Sequence, residues 1–180
     1  LSRLFDLRDS ELIYERGIYP QSTYIFKHAL IQDVVYNSLL HKRRREIHER
    51  IGKAIEQIYA ERLEEFYEVL ADHFLRGKDW QRAYRYSRDA GLKALPRSAY
   101  EEAQRYFETA LSVLIKLPHE RARIEQEIDL RFNMRSPLFL LGRHDEWGEW
   151  IRGAELLAQE IDDDANLCNV FNYLSNFNWI

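Results

Sequence analysis

Cysteine occurs once in this chain of 180 residues, proline four times and glycine seven times. A lone Cys168 excludes an internal disulfide and a cysteine metal cluster, and its neighbours Leu167, Val170 and Phe171 predict an ordinary buried thiol. No apolar run approaches the roughly 20 residues that cross a bilayer, and the first residues lack the basic, apolar, small-residue progression of a secretory leader. The expectation is a cytoplasmic protein without a membrane partner. No glycine-rich run precedes a Lys-Ser or Lys-Thr pair, which excludes a phosphate loop, and no protease-like or nucleotide-cyclising set is visible. The residues therefore predict no catalytic group, no metal and no cofactor within this chain. His28, His41 and His48 do not present metal ligands as two histidines four apart would. Asp162, Asp163 and Asp164 lack the alternating ligands and glycine of a calcium loop and read instead as a helix cap.

What is present points to a folded chain. Apolar residues make up 46% and aromatics 13%, while 31% charged residues and a mean hydropathy of -0.53 predict a well-solvated surface. A net charge of -4 and a pI near 5.9 supply no global attraction to nucleic acid. The chain starts at Leu1 and ends inside the aromatic-rich run "NVFNYLSNFNWI", and both ends read as cut from a longer protein.

The scarce prolines and glycines act as punctuation. "ELIYERG" and "STYIFKH" are β-prone segments separated by "IYPQ", with Gly17 and Pro20 as turn formers, so a hairpin is predicted. Before it, "LSRLFDLRDS" predicts a short helix with Leu1, Leu4 and Phe5 on one side. Helix, hairpin and helix outline the end of a winged helix.

From Ala29 onward the period is helical. Ile47, Ile51, Ile55 and Ile58 predict one apolar stripe on a charged helix, and Leu70, Ala71 and Phe74 with Leu63 and Phe66 predict another. Gly77 is expected as a left-handed C-cap, Asp79 and Ser98 as N-caps, Pro96 and Pro118 as boundaries, and Pro137 as a kink before Gly142. Trp147, Ile151, Ala154, Ala158 and Ile161 share one helical face. Ala71, Ala83 and Ala90, and again Gly91, Ala103 and Ala110, fall at offsets of 12 and 7, which match the small-residue positions of a tetratricopeptide repeat. The two frames share one helix.

The predicted fold is all-α: an antiparallel, tetratricopeptide-like helical-repeat superhelix with a small N-terminal winged-helix remnant containing a β-hairpin. Residues 1–60 form the winged-helix-like segment and residues 61–180 the repeats, truncated at the C-terminal end. Lys42, Arg43, Arg44 and Arg45 form the basic cluster, interrupted by Glu46, which is placed to pair with Arg50. A solvated or interdomain face is expected there rather than nucleic acid. Trp80, Tyr84, Tyr100, Trp147 and Trp150 are the candidate groove or interhelix aromatics.

"TYIFKHALIQDVVYNSLLHKRRREIHERIGKAIEQIY", "LADHFLRGKDWQRAYRYSRDAGLKAL" and "SAYEEAQRYFETALSVL" together resemble the segment behind the ATPase domain of bacterial STAND-type, AAA-like ATPases. Such proteins are often fused to a class III adenylate/guanylate cyclase in front and to tetratricopeptide-like repeats behind. The resemblance covers roughly residues 11–164 and is most specific over 24–56. It implies a histidine at the strand-to-helix junction, in a Phe-x-His-x-Leu pattern, that approaches the phosphates of bound ADP. Phe26, His28 and Leu30 match that pattern, whereas Ala29 stands where an acid commonly follows the histidine. On this reading ATP or ADP belongs to the intact protein, and the partners are other domains of the same chain and an unidentified protein or peptide. The alternative reading is the repeat tail of a STAND-type transcriptional regulator with a DNA-associated function.

Overall fold

The computed structural model describes residues 2–17 and 22–177. The chain is mostly helical, with one two-stranded antiparallel sheet among the described residues. It divides into two compact units, Leu1–Glu46 and Ile47–Ile180. The division falls inside a helix, whereas the sequence set its segment boundary at residue 60.

In the first unit, α1 (Ser2–Asp9) leads into β1 (Ile13–Arg16), which pairs with β2 (Thr23–Phe26) in the register Ile13↔Phe26 to Arg16↔Thr23. The hairpin follows from β-branched and aromatic residues in both strands, and Gly17 leaves β1 with φ +101°. The expected turn at Pro20, and Leu1 on the helix face, lie outside the described residues. Ile13 fills the inner side, while Lys27 closes the hairpin with a backbone bond to Leu12 and an ion pair to Glu11. Next comes α2 (Ala29–Ser38), which has no buried residue: Leu30 is 74% exposed and, just past its end, Leu40 is 80% exposed. The first turns of α3 (His41–Ile58) complete this unit.

The second unit continues α3 into a 3₁₀ segment, Ala60–Phe66, broken at Arg62, and then α4 (Tyr67–Gly77), α5 (Trp80–Ala94) and α6 (Tyr100–Leu114). After Pro118 come α7 (Arg121–Asn133), α8 (Arg135–Leu140), α9 (His144–Glu160) and α10 (Asp164–Phe177). Helix α5 packs against both α4 and α6, α6 against α8, α7 against α9, and α9 against α10. All six small residues of the two overlapping frames are buried, as is the whole α9 stripe from Trp147 to Ile161. Gly91 is required sterically: a Cβ there would overlap the Phe107 ring of α6. Gly52 of α3 stands likewise over Phe74 of α4, where a Cβ would lie 2.7 Å from the ring.

Several expectations are corrected. The isoleucine stripe of α3 is only partly its buried face: Ile55 packs against the core, but Ile58 is 71% exposed and Ile51 is also exposed, while His48 and Gly52 are buried. The left-handed C-cap of α4 is Lys78, with φ +60°, and Gly77 is its last helical residue, where a Cβ would crowd the Glu49 backbone at 3.2 Å. Ser98 makes no cap to α6; it takes a left-handed turn after the 3₁₀ turn Leu95–Arg97, and Ala99 precedes the helix. The helix break comes at Met134, and Pro137 sits inside the first turn of α8, where a missing N–H leaves no intrahelical bond unmade. Cys168 is exposed rather than buried, because α10 turns Val170 inward instead. Asp79 and Asp163 do cap, accepting from the backbone of Arg82 and Asn166. Among the described residues no helix is long and apolar enough to cross a membrane.

Candidate functional site

A groove of about 600 Å³ runs between α5 and α7. Its α5 wall carries Arg82, Arg85 and Arg88, one helical turn apart, with Tyr84 between them. The α7 wall carries Ala122, Glu125, Gln126 and Asp129, again residues three or four apart and so on one face. Tyr84 is 5% exposed; its hydroxyl donates to the Gln126 carbonyl at 3.5 Å, and burial pushes its pKa up to about 12. It is therefore a neutral donor in the groove floor.

The arginines are held from behind and at one end. Glu56 of α3 accepts from Tyr86 at 2.5 Å, from Arg85 at 3.0 Å and from Arg82, which also pairs with Asp79 at 2.8 Å. Arg88 spans to Asp129 across the groove at 3.2 Å. On the opposite wall Glu125 is neutralised by Arg121. This arrangement fixes the guanidinium planes and leaves the Arg85 side chain more than half exposed. No nucleophile with an adjacent base lines the groove, so the chemistry on offer is recognition by charge and hydrogen bonding.

The aromatics chosen from sequence separate into groups. Tyr84 lies in the groove. Trp147 is 3% exposed and belongs to the core. Trp150 is half-buried with the Arg131 guanidinium 5.5 Å from its ring, and Trp80 is half-buried beneath Lys116 at 4.3 Å. Tyr100 sits at the start of α6, with its hydroxyl 3.3 Å from Ser98. Sequence reasoning missed Arg82, Arg85 and Arg88, although "RAYRYSR" displays three arginines at a spacing of three beside the buried alanines.

The basic cluster does not act as one patch. Arg44 turns back onto the end of α2, donating to the carbonyls of Asn37 and Leu39 at 2.9 Å each and stacking on Tyr36. It satisfies the carbonyls that a helix C-terminus leaves open. Arg43 pairs with Glu46 at 3.1 Å, so the expected Glu46–Arg50 pair is replaced by a shorter-range one. Lys42 and Arg45 are exposed, with no ion pair among the described residues.

His28 is the residue preceding α2. Its backbone is extended, its carbonyl accepts from Ile31 and Gln32, and its exposed side chain makes no capping bond. The fold thus uses His28 for its backbone, and the imidazole takes no part in capping the helix.

No family model matches the chain, and no curated protein matches it. Function rests on the geometry of the groove and the joint.

Proposed function

We propose that this chain is a non-catalytic regulatory and protein-interaction region of a nucleotide-switched signalling protein of the STAND-type ATPase kind, in an adenylate/guanylate cyclase–ATPase fusion. Its second unit is read as a tetratricopeptide-like stack, and its first as the end of a winged helix. The observation that carries the reading is the α5–α7 groove: a recess of peptide size, walled by fixed charges and floored by a neutral tyrosine. Packing between helices two apart in sequence, α6 on α8 and α7 on α9, supports the stack. The exposed apolar surface of α2 and the unused His28 imidazole support contact with other domains of the same cytoplasmic protein, including the one that binds ATP or ADP. A partner that prefers one state of the ATPase would shift it by that difference in affinity. The DNA-associated alternative draws less support, because Arg43 and Arg44 are engaged within the fold.

The experiment is selection of peptides on the chain, followed by fluorescence anisotropy with Ala122→Arg, which fills the groove from an exposed position. Micromolar binding that falls at least about tenfold in the variant is expected, a loss of about 1.4 kcal/mol. Peptides indifferent to Ala122→Arg would place recognition elsewhere. A calorimetric titration with ATP should show no micromolar binding to this chain, since the phosphate loop is expected outside it; such binding would overturn the nucleotide part of the reading.

A further inference from the structure

The α5–α7 groove sets charges of opposite sign on facing walls and keeps most of them from closing on each other. Tyr84 meets Gln126 and, one turn on, Arg88 meets Asp129, so α5 and α7 run in the same direction. That offset of 41 to 42 residues places Glu125, in height, between Arg82 and Arg85. Only at Arg88 is a bridge made. Elsewhere each wall is satisfied from its own side: Glu56 and Asp79 hold Arg82, Glu56 holds Arg85, and Arg121 holds Glu125. Bonding capacity is left over on both walls. Arg85 gives only its Nη2 to Glu56 and Tyr86, so Nε and Nη1 have no acceptor among the described residues. Opposite, Arg121 takes Oε1 of Glu125, while Arg88 and Asn133 both take Oδ2 of Asp129. Glu125 Oε2 and Asp129 Oδ1 accept no hydrogen bond among the described residues.

Resting on the reading of this groove as the peptide site, we infer that its occupant is an extended segment in which acidic and basic side chains alternate. The acids meet the arginines of α5, and the bases meet Glu125 and Asp129 of α7. Shape selects an extended chain. A helix with its side chains is about 10 Å across, whereas these walls touch at the floor through Tyr84 and Gln126 and are bridged at one end by Arg88 and Asp129. From Arg82 to Arg88 the arginine row runs about 9 Å at the helical rise, the length of about three residues of extended chain. Successive side chains of such a chain point to opposite sides, so a period of two delivers acids to one wall and bases to the other. A wholly acidic segment would satisfy the guanidiniums but set its remaining side chains against Glu125 and Asp129. A wholly basic one would do the reverse, and like charges brought together in this way are costly.

The test is fluorescence anisotropy of the whole chain with labelled octapeptides: one alternating Glu and Lys, one with the same residues in the order Glu-Glu-Lys-Lys twice over, and one of Glu alone. The first two carry the same charge, so attraction to the net charge of the protein cancels between them. The alternating peptide should bind at least about tenfold tighter than either of the others. Glu125→Lys, at an exposed position of α7, makes both walls cationic. It should weaken the alternating peptide at least about tenfold and move the preference to the peptide of Glu alone. Equal binding of the two isomers, binding of neither, or an unchanged preference in the variant would overturn the inference, and the comparison of isomers on the native chain stands whether or not the variant folds. Peptides that lose binding with Ala122→Arg yet show no alternation of charge would leave the groove as the peptide site and sink the alternation alone. Binding of the alternating peptide that is indifferent to Ala122→Arg would overturn both.

Discussion

At the scale of single residues, the most consequential group is a buried carboxylate. Glu127 of α7, with its side chain only 6% exposed, accepts from Arg123 at 2.7 Å and from Arg131 at 2.8 Å. Arg131 in turn lies over Trp150 of α9 and against Gly153, where a Cβ would collide with its guanidinium. One carboxylate thus positions the cation on which α7 and α9 meet. Burial alone would raise the Glu127 pKa, but the hydrogen bonds from Arg131 and then Arg123 more than offset it and hold it below the usual range. Glu127→Gln leaves two half-buried guanidiniums without their counter-charge and should cost about 3 kcal/mol at pH 7, read from urea midpoints. The sign with pH follows from the depressed pKa: the contribution is complete above the ordinary carboxylate value and disappears as pH falls through the folded one. The gap between native chain and variant should narrow from pH 7 to pH 3. A gap that stays constant or widens would mean that Glu127 serves packing and not charge.

Among the elements, α3 and α9 carry equally regular apolar stripes and meet opposite fates. On α9 the stripe is the core, with Ile151 and Ala154 fully buried. On α3 the closest approach to α4 is at Gly52, whose bare backbone lies against the Phe74 ring, and of the stripe Ile55 packs on the core while Ile51 and Ile58 stay exposed. Ile151→Ala should therefore cost about 2–5 kcal/mol, whereas Ile58→Ala should stay within about 0.5 kcal/mol. Comparable losses at both sites would show that the α3 stripe is covered in solution. The contrast also marks what the sequence could convey. Local pattern reported most of the helices, the hairpin, the buried alanines and the Asp79 cap, since those depend on local spacing and hydrogen bonding, but it ran the 3₁₀ segment Ala60–Phe66 into α4 and did not separate α8. It could not report which of two adjacent faces a neighbour takes, nor that Lys78 rather than Gly77 goes left-handed, because both depend on side chains distant in the chain. The groove stayed hidden for the same reason: its walls come from α5 and α7, about 40 residues apart, and only folding sets Arg88 against Asp129.

For the molecule as a whole, the distribution of buried surface predicts unequal independence of its two units. Among the described residues, every fully buried large side chain lies between Leu70 and Val170. In Leu1–Glu46 the described residues bury Ile13 and little else, and α2 contributes no buried side chain. A segment of this size removes too little apolar area from water to offset the conformational entropy of ordering it, which runs to about 1–2 kcal/mol per residue for the backbone alone. The second unit keeps the Gly52–Phe74 and His48–His73 contacts of α3 when the chain is cut at residue 47. Residues 47–180 should then give a helical circular dichroism spectrum and one cooperative urea transition, while residues 1–46 alone should lose signal gradually and without a midpoint. A sharp, cooperative transition in the short piece would mean that its hairpin and helices hold a core of their own. Failure of the long piece to fold would mean that the second unit draws stability from the segment before it.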